Sequence, residues 1–518
     1  MTQDDLLQIK LQTLFNFNSF RPGQKEIIQD VLKGQDVFGI LPTGTGKSLC
    51  YQLPARMLDG STIVISPLIS LMIDQVNQLR ANQFKDVVAL TSFMEYHERQ
   101  HVLKNLASYK LIYVSPELIQ SPEILPYFKK LKVSLFVIDE AHCISQWGHE
   151  FRPDYLRLTH VIQSINNPPI LALSATATEE VQHDIMTILN RPNMVKHIYP
   201  MDRENIAFCV YEVADDRSKL KAIKKLLSDY HTPTIIYFSS RRTTEEVSNI
   251  LSQKLPERRI AFYHGGMDHI DRITIQQQFM NNQLDIICCT NAFGMGIDKD
   301  NICLVIHYHF PTQIESYIQE VGRAGRDGSA SVSVLFYARQ DESLSKRLIL
   351  NEIPTEEDLY FVFQKLFELV QNHDRIPTTQ NEADIANTFQ LSETQWRFIH
   401  FQLEKNGIII DNQIIYDKES WKQAYENIKL LQKRRLTLKY SKLIDMIDWM
   451  NEKECLRKHL YKGFQSSFQK PSFQCCNNCQ FSLSNWLPIQ SKVNQELFTS
   501  WDHKLRSLLF IGEDHETK

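Results

Sequence analysis

Up to about Tyr337 the chain alternates short runs of β-branched and aromatic residues with longer polar stretches of helical character. Strands buried on both faces read as continuous apolar runs, so this alternation predicts parallel sheets covered by helices on both sides, an α/β fold. The predicted strands are Asp36 to Leu41, Thr62 to Ser66, Leu111 to Val114, Leu135 to Ile138 and Ile170 to Leu173. A second set follows at Thr234 to Phe238, Ile260 to Tyr263, Asp285 to Cys289, Val305 to Tyr308 and Val332 to Tyr337. Between the sets, Pro192 to Asn205 holds two prolines and no strong period, which predicts a crossing between two lobes, 1–200 and 201–345.

Beyond Ala338 helical spacing takes over, with Leu359, Val362, Phe363, Leu366, Phe367, Leu369 and Val370 forming one apolar stripe. A helix over Glu382 to Phe389, a turn with Ser392 as N-cap, and a helix over Thr394 to Lys405 stopped by Asn406-Gly407 come next. Ile408 to Ile410 and Ile414 to Tyr416 flank a polar turn, a predicted hairpin. Helix, turn, helix, hairpin is the order of a winged-helix-like module, placed at 346–418. A helical segment, 419–482, turns basic: Lys429 to Lys470 holds 11 Lys and Arg against 4 Asp and Glu. Such a run is either a solvated face or part of a nucleic-acid surface. The tail, 483–518, carries an amphipathic stretch from Val493 to Leu509 that reads as a docking helix.

Composition narrows the class. With 518 residues, 43% hydrophobic and 23% charged, several packed cores are expected. There is no run of about 18 uncharged apolar residues, and the first five residues, Met1-Thr2-Gln3-Asp4-Asp5, are polar and acidic, so neither a membrane span nor a signal peptide is expected. The net charge of −4 excludes a uniform polycation but permits a local basic groove. Cys50, Cys143, Cys209, Cys288, Cys289 and Cys303 are scattered through apolar surroundings, as reduced core thiols would be; the other four crowd into Cys455 to Cys479.

Residues 41–48, Leu-Pro-Thr-Gly-Thr-Gly-Lys-Ser, follow a predicted strand directly. Thr43, Gly44, Thr45 and Gly46 form a loop whose N–H groups can turn inward around phosphate oxygens; Lys47 can reach the β and γ phosphates, and Ser48 can hold Mg²⁺. The full pattern opens on Gly, where this chain has Leu41. The strand Leu135 to Ile138 ends in Asp139-Glu140-Ala141-His142. An acid at the carboxyl end of a parallel strand sits where such sheets bind ligands, so Asp139 is placed to orient Mg²⁺ and Glu140 to polarise an attacking water. Phosphoryl transfer also needs cationic charge on the γ-phosphate, and residues 319–328 supply Gln319, Arg323 and Arg326 among close-approaching glycines. Belonging to the second lobe, they would arrive only when the lobes close.

Together these residues resemble a superfamily 2 helicase core, and finer features resemble the RecQ family of DNA helicases. Phe20-Arg21-Pro22-Gly23-Gln24 is similar to that family's adenine-reading motif; the resemblance implies that Gln24 bonds adenine while Phe17 and Arg21 pack on its ring. Ser66 to Gln75, Tyr113 to Glu117, Ser174-Ala175-Thr176, Tyr263 to Gly266 and Thr290 to Asp298 resemble further family motifs. Ala141 to Tyr155 is similar to the aromatic-rich loop that joins the ATPase acid to single-stranded DNA, implying that Trp147 and Phe151 stack on bases and Arg152 meets phosphate or stacks. Cys455, Cys475, Cys476 and Cys479 resemble the family's structural zinc subdomain, and Cys476-x-x-Cys479 has a zinc-knuckle spacing. The adjacent pair Cys475-Cys476 departs from the usual spacing; His459, one helical turn beyond Cys455, could replace Cys475, and a metal-free cluster is a third alternative.

In the better-known bacterial arrangement the winged helix follows the zinc site and a small helical domain ends the chain. Here 39 residues follow Cys479, too few for both, and the winged-helix pattern precedes the cysteines. Its Thr394 to Lys405 helix or its hairpin near Asp411 would contact duplex, or the module only packs; Trp396, Phe398, Ile399 and Leu403 read as core, with Arg397 and Lys405 adding charge. The resemblance implies an ATP-, Mg²⁺- and Zn²⁺-containing helicase that moves 3′ to 5′ on single-stranded DNA and opens forked duplex in repair or recombination. A cytoplasmic, bacterial-type monomer is expected, with no membrane contact. The rival readings are an RNA helicase of the same superfamily, and a nucleic-acid-binding scaffold whose ATPase is vestigial.

Overall fold

The computed structural model describes residues 3–145, 152–293, 299–372, 382–410, 413–465, 468, 471 and 474–488. Two α/β lobes follow one another. The first is a seven-stranded, wholly parallel sheet in the order β3-β4-β2-β5-β6-β1-β7. Its strands are β1 (Val37–Ile40), β2 (Ser61–Ile65), β3 (Val87–Leu90), β4 (Leu111–Val114), β5 (Val133–Ile138), β6 (Ile170–Ser174) and β7 (Val195–Ile198). The second has six parallel strands in the order β10-β11-β9-β12-β13-β8. These are β8 (Ile206–Glu212), β9 (Thr234–Tyr237), β10 (Ile260–Tyr263), β11 (Ile286–Cys289), β12 (Leu304–His307) and β13 (Ser331–Tyr337). Central strands such as β1, β2 and β9 are buried at every position, as expected of sheets covered on both faces.

Three strands lie outside the sequence expectation, and each has a reason. β7 runs through the stretch read as a featureless crossing and pairs with β1, Val37 opposite Val195. It is an edge strand whose Val-Lys-His-Ile sequence is half-exposed throughout, so it lacks the apolar run that marks an interior strand. β3, at the opposite edge, is four residues long. β8 begins at Ile206, where the expected crossing ends, and forms the edge of the second sheet.

After β13 the chain is helical: Asp341–Glu352, Glu356–Gln371, Glu382–Thr388 and Glu393–Lys405 precede a two-stranded hairpin, β14 (Ile409–Ile410) and β15 (Gln413–Ile414). Thr355 and Ser392 each close a capping box on the helix that follows them. The module has its own apolar core, in which Phe389 stacks on Trp396 at 4.4 Å and Leu359, Val362, Ile399 and Leu403 are fully buried. Gln413, expected in the turn, is paired with Ile410, so the connecting loop is shorter by one residue than the pattern suggested.

The long helix Lys418–Met450 is shared between modules. Its first half, with Trp421, Ala424 and Ile428, completes the winged-helix-like core. Its second half, with Leu443, Met446, Trp449 and Met450, joins the cluster that runs through both lobes. Trp449 packs on Tyr317 at 4.6 Å and donates to the Leu456 carbonyl at 2.9 Å. Beyond the cysteines, Trp486 is buried on the second lobe, donating to the Ala330 carbonyl at 2.9 Å. The expected docking helix from Val493 to Leu509 lies outside the described residues. Among the described residues no helix is long and apolar enough to cross a membrane.

Candidate active site and cysteine platform

The loop between β1 and the helix Leu49–Met57 passes from an interior strand into a helix N-terminus, the arrangement that points backbone N–H groups at an anion. Gly44 and Gly46 hold φ of 82° and 73°, values that glycine adopts without strain. Both are also hemmed in: a Cβ at Gly44 would meet the Arg326 side chain at 2.8 Å, and one at Gly46 would meet Gln24 Nε2 at 2.9 Å. Lys47 points its ammonium across the cleft, 3.8 Å from Glu140 Oε1.

Asp139 and Glu140 follow β5, next to β6 in the sheet. Asp139 is buried, and burial followed by the neighbouring Glu140 raises its carboxyl to about 6, against the pull of Lys47. Glu140 sits in the left-handed region at φ 50°, a strained conformation for a non-glycine residue that turns its side chain back over the loop. Its other oxygen lies 3.4 Å from His142 Nδ1, and that ring nitrogen lies 3.0 Å from Ser174 Oγ at the end of β6. A continuous polar path therefore links the acid pair to Ser174 and Thr176, whose N–H donates back to Ser174 Oγ at 3.3 Å.

The second lobe closes the cleft. Gln319, near the end of the helix Ile314–Val321, and Arg323 are buried, with Arg323 beside the Tyr237 phenol. Together with Arg326 they line one pocket with Thr43, Gly44, Gly46, Lys47, Ser48, Asp139 and Glu140. The lobes touch through the loop itself: Thr43 Oγ1 donates to the Gly322 carbonyl at 3.0 Å. Residues from 43–140 and from 319–326 thus meet as the phosphate chemistry requires, with Ser48 and Asp139 offering the hard oxygen donors that suit Mg²⁺.

The expected adenine site is arranged differently around its glutamine. Gln24 is buried, and its amide donates to the Thr45 and Gly46 carbonyls at 2.8 and 3.0 Å while accepting from the Arg21 N–H at 2.8 Å. Arg21 donates to the Gly44 carbonyl. Both side chains therefore brace the phosphate loop. Phe17 is 53% exposed, stacked on Phe15 at 6.5 Å. Trp147 and Phe151 lie outside the described residues. Arg152 is half-buried and donates to the Pro67 carbonyl at 3.0 Å, tying the end of the aromatic loop to the Ser66 to Gln75 segment.

The four clustered cysteines come together: the Sγ atoms of Cys455, Cys475, Cys476 and Cys479 all lie within 4.8 Å of one another, with Cys455 and Cys475 at 3.5 Å. The edge of a zinc–thiolate tetrahedron is about 3.8 Å for bonds of about 2.3 Å, so the donor set and its spacing fit Zn²⁺. Contacts among the thiols hold Cys476 well below the usual range, at about 5, chiefly through the hydrogen bond from Cys475. His459 is turned away to Glu452, Nδ1 to Oε2 at 2.5 Å, so the arrangement with His459 in place of Cys475 is not the one adopted. The adjacency of Cys475 and Cys476 has a structural reason. Cys475 and Cys476 run alongside edge strand β8, the Phe208 N–H donating to the Cys475 carbonyl at 3.1 Å, so the cluster covers an otherwise open sheet edge.

Residues 21–184 match the DEAD/DEAH box helicase family and residues 218–328 the helicase conserved C-terminal domain. The chain is 40% identical over 516 residues to the probable ATP-dependent DNA helicase RecS of Bacillus subtilis, covering 98% of this chain and 99% of that one. The chain belongs to the RecQ family of ATP-dependent DNA helicases. The RecQ helicase of Haemophilus influenzae is 42% identical over 349 residues, covering 67% of this chain and 56% of its own. Among solved structures, Mss116p bound to single-stranded RNA and AMP-PNP superposes with a TM-score of 0.57 at 19% identity, covering 90% of this chain and 94% of that one, a likeness of fold.

Two features of this RecQ-family cleft lay outside the sequence reading. Arg203 and Asn205, in the stretch read as a crossing, hold the arginine-bearing loop: Arg203 donates to the carbonyls of Gly322, at 3.0 Å, and Gly325, and Asn205 to those of Gly325 and Ser329, both at 2.8 Å. Their signal was an Asp-Arg-Glu-Asn run of polar residues without a surface period. The helix Glu393–Lys405, expected to face duplex, also packs on the first lobe: Arg157 pairs with Glu404 and sits over the Phe401 ring at 5.6 Å.

Proposed function

We propose that this RecQ-family chain hydrolyses ATP in the cleft between its lobes and uses the cycle to move 3′ to 5′ along single-stranded DNA and part duplex ahead of it. The observation that carries the reading is the single pocket shared by Lys47, Asp139 and Glu140 of the first lobe with Gln319, Arg323 and Arg326 of the second. The loop N–H groups and Lys47 bind the β and γ phosphates, and Glu140 accepts the proton of the attacking water. Arg323 and Arg326 neutralise charge developing on the γ-phosphate, an effect that depends on the lobes being closed. Ser48 and Asp139 would hold Mg²⁺, which would supply further charge neutralisation of the phosphates when bound. The four cysteines would hold Zn²⁺ in a structural role, since four protein ligands would leave no open position for chemistry. The same reading takes forked duplex as substrate, a role in repair or recombination, a monomeric state and the bacterial cytoplasm as the place of action.

Steady-state ATP hydrolysis with Mg²⁺, compared without nucleic acid, with single-stranded DNA and with RNA of equal length, tests it. Stimulation by DNA well above that by RNA is expected, followed by displacement of a strand from a 3′-tailed and not a 5′-tailed duplex. Stimulation by RNA alone would move the chain to the RNA-helicase reading, and no stimulation by either to the scaffold reading.

A further inference from the structure

The two arginines assigned to the γ-phosphate lie on a loop held in part by side chains from outside it. Gly322 to Ser329 contains two left-handed glycines, Gly325 at φ 57° and Gly328 at φ 85°, and its Gly322, Gly325 and Ser329 carbonyls accept from side chains outside the loop. Besides Thr43 of the phosphate loop, those side chains are Arg203 and Asn205, both on the stretch that leads into β8. A Cβ at Gly44 of the phosphate loop would lie 3.4 Å from Arg203 Nη1, so the same guanidinium faces the first lobe.

The stretch carrying Arg203 is itself gripped from behind. Arg457, two residues after Cys455, is fully buried and sits over the Phe208 ring at 4.9 Å. It pairs with Asp202, donates to the Arg203 carbonyl at 3.1 Å and also donates to the Ile206 carbonyl. A buried guanidinium that makes three hydrogen bonds to the five residues from Asp202 to Ile206 fixes that stretch in position and direction. A chain of contacts thus runs from the cysteine platform through Arg457 and Asp202 to Arg203, and from Arg203 to the loop of Arg323 and Arg326.

We infer that Arg203 is a positioning residue for ATP hydrolysis, setting the arginine loop against the phosphate loop, and that Arg457 ties its position to the cysteine platform. The inference rests on the interlobe cleft being the hydrolytic site. Arg203 acts by geometry: a fork of two N–H groups spans the Gly322 and Gly325 carbonyls, which a lysine's single ammonium does not reproduce. Burial and the nearby Arg326 lower its guanidinium to about 10, so it stays charged throughout the working range.

The test compares wild type with R203K and D202N by steady-state ATPase in saturating single-stranded DNA, together with binding of a fluorescent ATP analogue and of the DNA. For R203K the expected result is a fall in kcat of about tenfold or more, with nucleotide affinity, KM for ATP and DNA affinity changed less than about threefold. D202N, which keeps the shape but weakens the grip of Arg457, is expected to lower kcat in the same direction with the same constancy of KM. Combining it with R203K should add little, since both act on one element. Unchanged kcat in R203K would overturn the inference; so would loss of nucleotide binding in step with kcat, which would make Arg203 a phosphate ligand. Fully additive effects would overturn the link to Arg457. Should R203K fail to fold, D202N alone decides by the same criteria. A wild-type protein without ATPase would count against the cleft reading itself, separately from Arg203.

Discussion

Lys47 shows how much one residue carries in this cleft. Its ammonium lies between the glycine loop and Glu140, at 3.8 Å from Glu140 Oε1, and it is the cation that pulls the buried Asp139 carboxyl down against its two larger raising influences. Lys47→Ala removes the charge meant for the β and γ phosphates and leaves two neighbouring carboxylates to repel each other. The expected outcome is a loss of about a thousandfold or more in kcat, with single-stranded DNA affinity within about twofold of wild type, because the residue faces the interlobe cleft. Turnover equal to wild type would remove the phosphate assignment. Gln24 works at the same scale by a different route: its amide spans the Thr45 and Gly46 carbonyls, so the side chain expected to read the base also supports the loop. Asn205 and Arg203 do the corresponding work for the opposite loop.

At the scale of elements, the cysteine platform acts as a clamp on an exposed edge. β8 ends the second sheet, and the cluster supplies the bond from Phe208 N–H to Cys475 while the Asn477 side chain donates to the Val210 carbonyl at 3.0 Å and accepts from its N–H at 3.4 Å. Metal binding there would contribute folding free energy to the platform, since four thiolates close in space repel one another without a cation. Purified protein should therefore release about one zinc per chain on treatment with a thiol-reactive mercurial, read with a colorimetric chelator. The metal-free chain should melt several degrees lower, with β8 amides exchanging faster than those of interior β9; unchanged exchange at β8 would mean that the platform does not support the edge. Interior strands, the phosphate loop and the acid pair were legible because each is a local pattern: a continuous apolar run, a Gly-x-Gly-Lys-Ser after a strand, an Asp-Glu at a strand end. The edge strand β7, with half-exposed Val-Lys-His-Ile, carries no such run. Arg203 was hidden because its partners are more than a hundred residues away, and the bracing of the phosphate loop by Gln24 because a motif names a residue's family role and not where its amide points in this chain.

At the scale of the whole molecule, the proposed cycle needs the lobes closed, and one interlobe contact predicts that closure responds to pH. Gln276, on the second-lobe helix His269–Met280, donates to Asp74 on the first-lobe helix Ile69–Ala81. Burial raises the Asp74 carboxyl to about 6. A carboxyl whose value is raised by packing holds its proton more tightly in the packed state, so the packed state is favoured at low pH and loses stability as pH rises from about 4 to about 6. Above that window the cost is constant, about 2 to 3 kcal/mol as an upper figure for a group that keeps some access to solvent. Asp74→Asn keeps an oxygen to accept from Gln276 and removes the charge, so it should lift that cost. The melting temperature of the variant relative to wild type should differ least at pH 4, rise through pH 4.5 to 6 and hold a plateau of a few degrees by pH 7. In DNA-saturated turnover at pH 7.5, the same variant should favour the closed cleft and lower the KM for ATP, while leaving Lys47, Glu140 and the arginine loop as they were. A melting difference that does not change between pH 4.5 and 7 would show that Asp74 keeps its ordinary acidity in the assembled molecule and that closure is not linked to its proton.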